Sequence, residues 1–186
     1  MSSEIRCAWC ESSQLYKDYH DQEWGKPVFD DKVFFELLLL ETFQAGLSWI
    51  TILNKRENFR KAFNNFDYDK IANYNNNKIL ELLQDAGIVR NKLKIYSAIL
   101  NAQNFIAIQK EFGSFSKYIW NFVNDNPIVN YPKKLQDVPA TTALSDNISK
   151  DLKKRGFKFV GSTVIYAFLQ ATGIVNDHIV DCYFKY

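Results

Sequence analysis

SDNISKDLKKRGFKFVGSTVIYAFLQATG, residues 145–173, decides how the rest of the chain is read. Leu144, Ile148 and Leu152 recur at fourfold spacing around Ser145, which offers an N-cap, so the first part reads as an amphipathic helix. The short segment RGFKFVG follows, and STVIYAFLQAT is then almost continuously apolar until Gly173 ends it, as a buried helix would be. The unit is a helix, a hairpin and a second helix. Gly156 and Gly161 bound the hairpin and let its backbone approach another molecule closely. The amides opening the helix after Gly161 carry partial positive charge, and Lys150, Lys153, Lys154, Arg155 and Lys158 gather around them. Such a set fits a DNA phosphate, with Lys153, Lys158 and Gly161 as the expected contacts. The plainer reading is the solvated face of an amphipathic helix. A second cluster, Lys55, Arg56, Arg60 and Lys61, is open to the same reading.

Upstream the chain reads as helices throughout, with no run alternating like a half-buried strand. DKVFFELLLLETFQ, from Asp31, is too long for a typical strand; Ala45-Gly46 ends it before Ser48 offers an N-cap to WITILNKRENFRKAF. Asp67 can cap a short helix reaching Tyr74. Lys78 to Gln84 forms another, closed by Gly87, and a longer one begins at Asn91 or Lys92. SKYIWNFVND reads as a short helix after Gly113, and Pro127, Pro132 and Pro139 punctuate an irregular connection beyond it. The expected fold class is all-α, in one domain over residues 1–186.

Glu41 lies in FFELLLLETF, a segment apolar nearly all the way round. A carboxylate there is costly unless it is exposed, paired or used to bind something. Either Glu36 or Glu41 can mark a solvent edge; otherwise Glu41 is a buried acceptor in a pocket. Trp49 opens the next helix, and Trp9, Tyr16, Tyr19 and Trp24 crowd the N-terminal segment, where they can form a core or a ligand box.

The chain of 186 residues holds only three cysteines and two histidines, and all five lie near its ends. An odd thiol count does not close a disulfide framework. His178 and Cys182 stand four apart, so on a helix they share one face, and Cys7 and His20 complete a Cys2His2 set. Cys10, in a C-x-x-C pair with Cys7, makes five candidates for four places. Imidazole and thiolate suit Zn2+, and four protein ligands leave no open position, so the ion would be a structural clip joining the N-terminal segment to a C-terminal helix. The alternative is ordinary core thiols and histidines. The balance of 23 Lys and Arg against 21 Asp and Glu gives a net charge of +2, which neither requires nor excludes a polyanionic partner. There is no apolar run of about eighteen residues and no secretory leader, so a cytoplasmic protein without a membrane span is expected.

YHDQEWG (19–25), LETFQAGLSWITILNKRENFRKAF (40–63), LLQDAGIVRNKLKI (82–95) and residues 149–182 resemble the 3-methyladenine DNA glycosylase I family. The resemblance runs from about Cys7 to Cys182. It implies a helix-hairpin-helix DNA glycosylase fold with one structural zinc on Cys7, His20, His178 and Cys182, leaving Cys10 over. It further implies a monomer acting on double-stranded DNA that contains 3-methyladenine, flipping the base into a pocket and hydrolysing its glycosidic bond. Trp49 would stack on the base, Glu41 and Tyr19 would bond its edge, and Trp9 and Trp24 would wall the pocket; Glu41 is the carboxylate assigned to the chemistry. Relatives that also cut the strand carry a Schiff-base lysine after the hairpin. Here that stretch is Gly161, Ser162 and Thr163, which implies a monofunctional enzyme leaving an abasic site. Asp177 is the nearest candidate for the aspartate that the wider superfamily sets beside the cationic sugar. Two other classes compete: a DNA-binding module that recognises damage without excising it, and a structural zinc-helical protein with no DNA affinity.

Overall fold

The computed structural model describes residues 4–186. Nine α-helices are found among them: α1 (Gln14–Gln22), α2 (Asp31–Gln44), α3 (Trp49–Ala62), α4 (Tyr68–Ile71), α5 (Asn76–Gln84), α6 (Lys92–Phe112), α7 (Phe115–Trp120), α8 (Ala143–Lys154) and α9 (Ser162–Ala171). Two strands of two residues, β1 (Ile128–Val129) and β2 (Val175–Asn176), pair in parallel with Ile128 opposite Val175. None of the helices is long and apolar enough to cross a membrane.

The centre of the molecule is α2. Every residue from Phe34 to Phe43 is buried, because α3, α6, α7 and α9 all pack against it. A helix apolar on all sides has no other stable place. Its first turn also organises its neighbours. Asp30 accepts the Lys32 amide at 2.7 Å, and Asp31 accepts the amides of Phe115 and Ser116 at 2.9 and 2.8 Å, fastening the start of α7 to the start of α2.

The helix-hairpin-helix unit forms as read, with α8 and α9 packed on each other and Gly156 in the left-handed region at φ 96°. The N-cap of α8 differs from expectation. Thr142, not Ser145, begins the helix, since the Thr142 hydroxyl accepts the Ser145 amide while Ser145 Oγ accepts the Thr142 amide in a reciprocal box. Gly173, at φ 67°, lets the chain between α1 and α2 lie against the end of α9: any Cβ there would strike the Lys26 carbonyl and the Pro27 nitrogen. Gly25 and Val28 then donate amide hydrogen bonds to Gln170 and Thr172, both at 3.0 Å.

One helix adds to the expected set, and one expected helix is absent. The segment before α2 contains a helix, α1, capped by Ser13, whose hydroxyl accepts the Tyr16 amide at 3.2 Å. Conversely, His178 and Cys182 do not lie on a C-terminal helix. The chain leaves β2 into tight turns, with the Val180 amide given to Pro132 and the Cys182 amide to Ile179. Those bonds, together with the buried side chains of Asn176, Asp177 and His178, hold this stretch out of helical register.

Candidate active site

Two carboxylates of α2 are buried, and they are treated oppositely. Glu36 lies beneath two guanidinium groups, accepting from Arg56 Nε at 2.7 Å and Arg60 Nη2 at 2.8 Å. Arg56 also reaches Glu23. This accounts for much of the second basic cluster as a structural ion-pair network; Lys55 likewise donates to the carbonyls of Ala86 and Gly87. Glu41, one and a half turns further on, is 3% exposed, and its Oε2 has no partner among the described residues. Burial alone pushes its pKa up to about 8. The solvent-edge reading is therefore wrong for both residues: Glu36 is a paired strut and Glu41 an acceptor without a donor.

Glu41 faces a cavity of about 670 Å³. Its walls bring together the five residues singled out in the sequence, Trp9, Tyr19, Trp24, Glu41 and Trp49. Trp49 sits at the start of α3 with its ring 5.4 Å from that of Tyr19, and its buried Nε1 also lacks a partner. Trp9 and Trp24 meet edge to face at 5.0 Å. The result is an aromatic box around a carboxyl that has no donor. That chemistry suits a flat, electron-poor or cationic ring, which can stack on an aromatic face and donate to the carboxylate.

The metal candidates are gathered against the same wall. Donor atoms of Cys7, His20 and Cys182, all buried, lie within 4.8 Å of one another. His178, the fourth expected ligand, falls outside that group, although its ring is centred 4.8 Å from that of His20. Asn176 Oδ1 accepts from the His178 amide and lies 2.9 Å from Nδ1, which places the imidazole proton on Nδ1. The buried Nε2 is then a free lone pair with no partner. Burial pulls His178 down to about 4, so the ring is neutral. His20 is set in the same way, with Nδ1 2.8 Å from Asp21, itself gripped by Arg6, and Nε2 3.6 Å from Cys182 Sγ. Cys7 and Cys182 act on each other as a buried pair, which raises the Cys7 thiol and lowers that of Cys182. Cys10 falls outside the set. Its thiol donates to the Cys7 carbonyl at 3.1 Å and props the chain behind Cys7. Trp9 and Trp24 lie 5.3 and 4.6 Å from the rings of His20 and His178 respectively, so this cluster and the aromatic box share a wall.

The hairpin is held from behind by side chains. Asn101 donates to the Lys158 carbonyl at 3.0 Å and accepts its amide at 2.8 Å, while Ser149 donates to the Val160 carbonyl at 2.7 Å. Gly161 caps α9 with no side-chain hydrogen bond, leaving the first amides of that helix free of a cap. Its φ of −62° is ordinary, and nothing lies within 4 Å of where a Cβ would stand, so neither backbone nor internal packing demands glycine there. Lys153 and Lys158 are exposed and make no ion pair among the described residues. Arg155 does not join them: it is spent on Glu111 at 2.6 Å and Asp151 at 2.6 Å.

Asp177 lines the cavity but is saturated, accepting from Tyr166 at 2.6 Å, Gln170 at 2.8 Å and Asn130 at 2.8 Å. Three donors make it a strut between α9 and the two-stranded pair. Sequence reading missed Gln44 and the stretch Lys133–Gln136 as lining residues. The latter belongs to an irregular connection, and its two lysines at a cavity wall were the available signal.

Comparison with known proteins places this geometry. The family model described as methyladenine glycosylase matches residues 9–186. The chain is 48% identical over 177 residues to DNA-3-methyladenine glycosylase 1 of Escherichia coli (strain K12), covering 95% of each. It is equally 48% identical to DNA-3-methyladenine glycosylase of Haemophilus influenzae, covering 95% of this chain and 96% of that one. Among solved structures, 3-methyladenine DNA glycosylase I from Staphylococcus aureus, studied for its recognition of 3-methyladenine, superposes with a TM-score of 0.94 at 37% identity, over 97% of this chain and 96% of that one. With the aromatic box, its buried carboxyl and the helix-hairpin-helix unit on one frame, the chain belongs to the methyladenine glycosylase family.

Proposed function

We propose that this protein is a monofunctional DNA glycosylase that hydrolyses the N-glycosidic bond of 3-methyladenine in alkylated DNA. The observation that carries the reading is Glu41, a buried carboxyl without a donor at the wall of an aromatic box. Methylation at N3 makes the adenine of a nucleotide cationic. Its flat ring can stack on Trp49, and its edge can bond Glu41 and Tyr19, with Trp9 and Trp24 closing the walls. A normal adenine brings no charge to offset the cost of ionising Glu41. The pocket thus selects by charge as well as by shape.

The base must leave the stack to reach this cavity, at a cost of a few kcal/mol of unstacking. Lys153, Lys158 and the uncapped amides after Gly161 would grip the backbone phosphates meanwhile. The same positive charge that favours binding weakens the glycosidic bond, so the lesion is already a good leaving group. As the bond breaks its electron pair goes to the base, which leaves neutral while Glu41 holds its edge; water adds to the sugar carbon in its place and gives up a proton to solvent. With Gly161, Ser162 and Thr163 where a Schiff-base lysine would stand, the product is an abasic site in an uncut strand.

Cys7, His20, His178 and Cys182 would hold one zinc ion. The free Nε2 of His178, the second hydrogen bonds fixing both imidazoles and the two buried thiols all suit that ion. Bound there, it supplies structure and not chemistry: it ties residues 7–20 to residues 178–182 behind Trp9 and Trp24.

Incubation with methylated duplex DNA tests the function directly, with release of free 3-methyladenine and no strand break expected; binding without release would leave only the damage-recognition module. Glu41→Gln separates a functional carboxyl from a core residue. The folded pKa of about 8 lies above the ordinary glutamate value of 4.5. Ionisation of Glu41 therefore costs stability increasingly as pH rises from 4.5 through 8, and glutamine removes that cost. Thermal melts at pH 9 should show the variant more stable by roughly 3–5 kcal/mol, with little difference at pH 4. Base release should fall by roughly a hundredfold; parallel losses of stability and activity would indicate a core role. Replacing Lys153 and Lys158 with alanine should lower the slope of log affinity against log salt by about 2, read by anisotropy on abasic duplex. Metal analysis of protein purified without chelator should give close to one zinc per chain, with His178→Ala well below that; a substoichiometric parent protein would remove the clip.

A further inference from the structure

The two groups that would read the base, Glu41 and Trp49, lie on different helices joined by the short turn Ala45–Ser48. Little in the turn itself fixes its shape. Gly46 is left-handed at φ 81° with nothing within 4 Å of its Cβ position, and Leu47 is exposed. The turn's own hydrogen bond runs from the Leu47 amide to the Gln44 carbonyl at 2.6 Å. The other restraint comes from far along the chain. Lys94, only 5% exposed, donates from Nζ to the Phe43 carbonyl at 2.7 Å and the Ala45 carbonyl at 2.6 Å.

That is an unusual place for an ammonium. Lys94 is buried, it lies in the first turn of α6, where the helix dipole disfavours a cation, and no carboxylate is within ion-pair distance among the described residues. An apolar side chain would be the cheaper occupant of a buried helix position. What the ammonium gains is the end of α2: two carbonyls that lack partners within their own helix are drawn to one charged point. The turn that sets the separation and tilt of Glu41 relative to Trp49 is thereby fastened to the long helix α6.

We propose that Lys94 is a positioning residue for base recognition, holding the α2–α3 turn so that the Glu41 carboxyl and the Trp49 indole face one bound purine. This deepens the glycosylase reading and rests on it. Lys94 does not itself line the cavity, so its effect reaches the base through the turn and the neighbouring end of α2.

The test compares Lys94→Met, Lys94→Gln and Lys94→Arg with the parent protein. Three quantities are read at a temperature where all are folded: single-turnover release of 3-methyladenine from methylated duplex at saturating protein, affinity for abasic duplex, and affinity for free 3-methyladenine by tryptophan fluorescence. Positioning predicts that the methionine variant loses tenfold or more in both release rate and free-base affinity, with abasic-duplex affinity within twofold of the parent. Arginine, which keeps charged donors, should restore part of both losses, and glutamine should fall between arginine and methionine. Unchanged release and base affinity in a folded methionine variant would overturn the proposal, as would a lowered melting temperature with no change in either. Should the methionine variant not fold, parent-like values for the glutamine variant overturn it equally. Failure of the parent protein to release base would instead sink the proposed function, so the two outcomes are distinct.

Discussion

One carboxyl group buried at a cavity wall with no basic group paired to it constrains the rest of this structure. Glu41 is on the most buried helix of the fold, and the five residues before it on α2 are buried too. Only five positions earlier, Glu36 receives two arginines, so the fold is able to pair a carboxylate in this helix and does so. Leaving Glu41 without a donor costs stability, which the cores of α2, α6, α7 and α9 must outweigh. Such local sacrifices belong to sites that meet their missing partner only when substrate arrives.

The surroundings follow from keeping that carboxyl ready. Tyr19 and Trp49 stand beside each other at the cavity wall, and Trp9 and Trp24 close it from the N-terminal segment. Terminal segments are the least secure part of most folds. Here Cys7 and His20 meet Cys182 in one buried group, with His178 beside it, and the two imidazoles contact those same two tryptophans. Asp177, next to His178, uses three hydrogen bonds to join that end of the chain to α9. Since α9 begins at the hairpin and lines the cavity through Thr163, Tyr166, Ala167 and Gln170, hairpin and pocket share one helix.

The sequence was most legible where a single physical demand dominates. The long apolar run made α2 a central helix, and the glycines bounding RGFKFVG gave the hairpin between α8 and α9. Glu41 stood out as a carboxylate in an apolar segment, whereas Trp9, Tyr19, Trp24 and Trp49 could as well have formed a core and were assigned to a pocket by the family resemblance. It was least legible where tertiary contacts decide. Helix α1 was hidden because its buried residues, Tyr19 and His20, are fixed by the pocket and the cluster and not by an apolar stripe. A spacing of four between His178 and Cys182 suggested a helix, but tight turns satisfy it as well. Arg155 looked like a DNA contact until its two acidic partners, one of them 44 residues earlier, were brought beside it. Lys94 gave no signal at all, since a lysine near the start of a helix resembles any solvated one.

The central claim is that Glu41 waits as a neutral, donor-less carboxyl and ionises for a cationic base. Infrared difference spectroscopy with isotope-labelled glutamate, using the Glu41→Gln protein to assign the band, measures this directly across pH with and without a positively charged N-methylated purine. The account predicts a protonated carboxyl in the empty pocket up to about pH 8, converting to carboxylate at neutral pH when the cation binds. A Glu41 band that titrates in the ordinary carboxylate range, unmoved by the ligand, would contradict it.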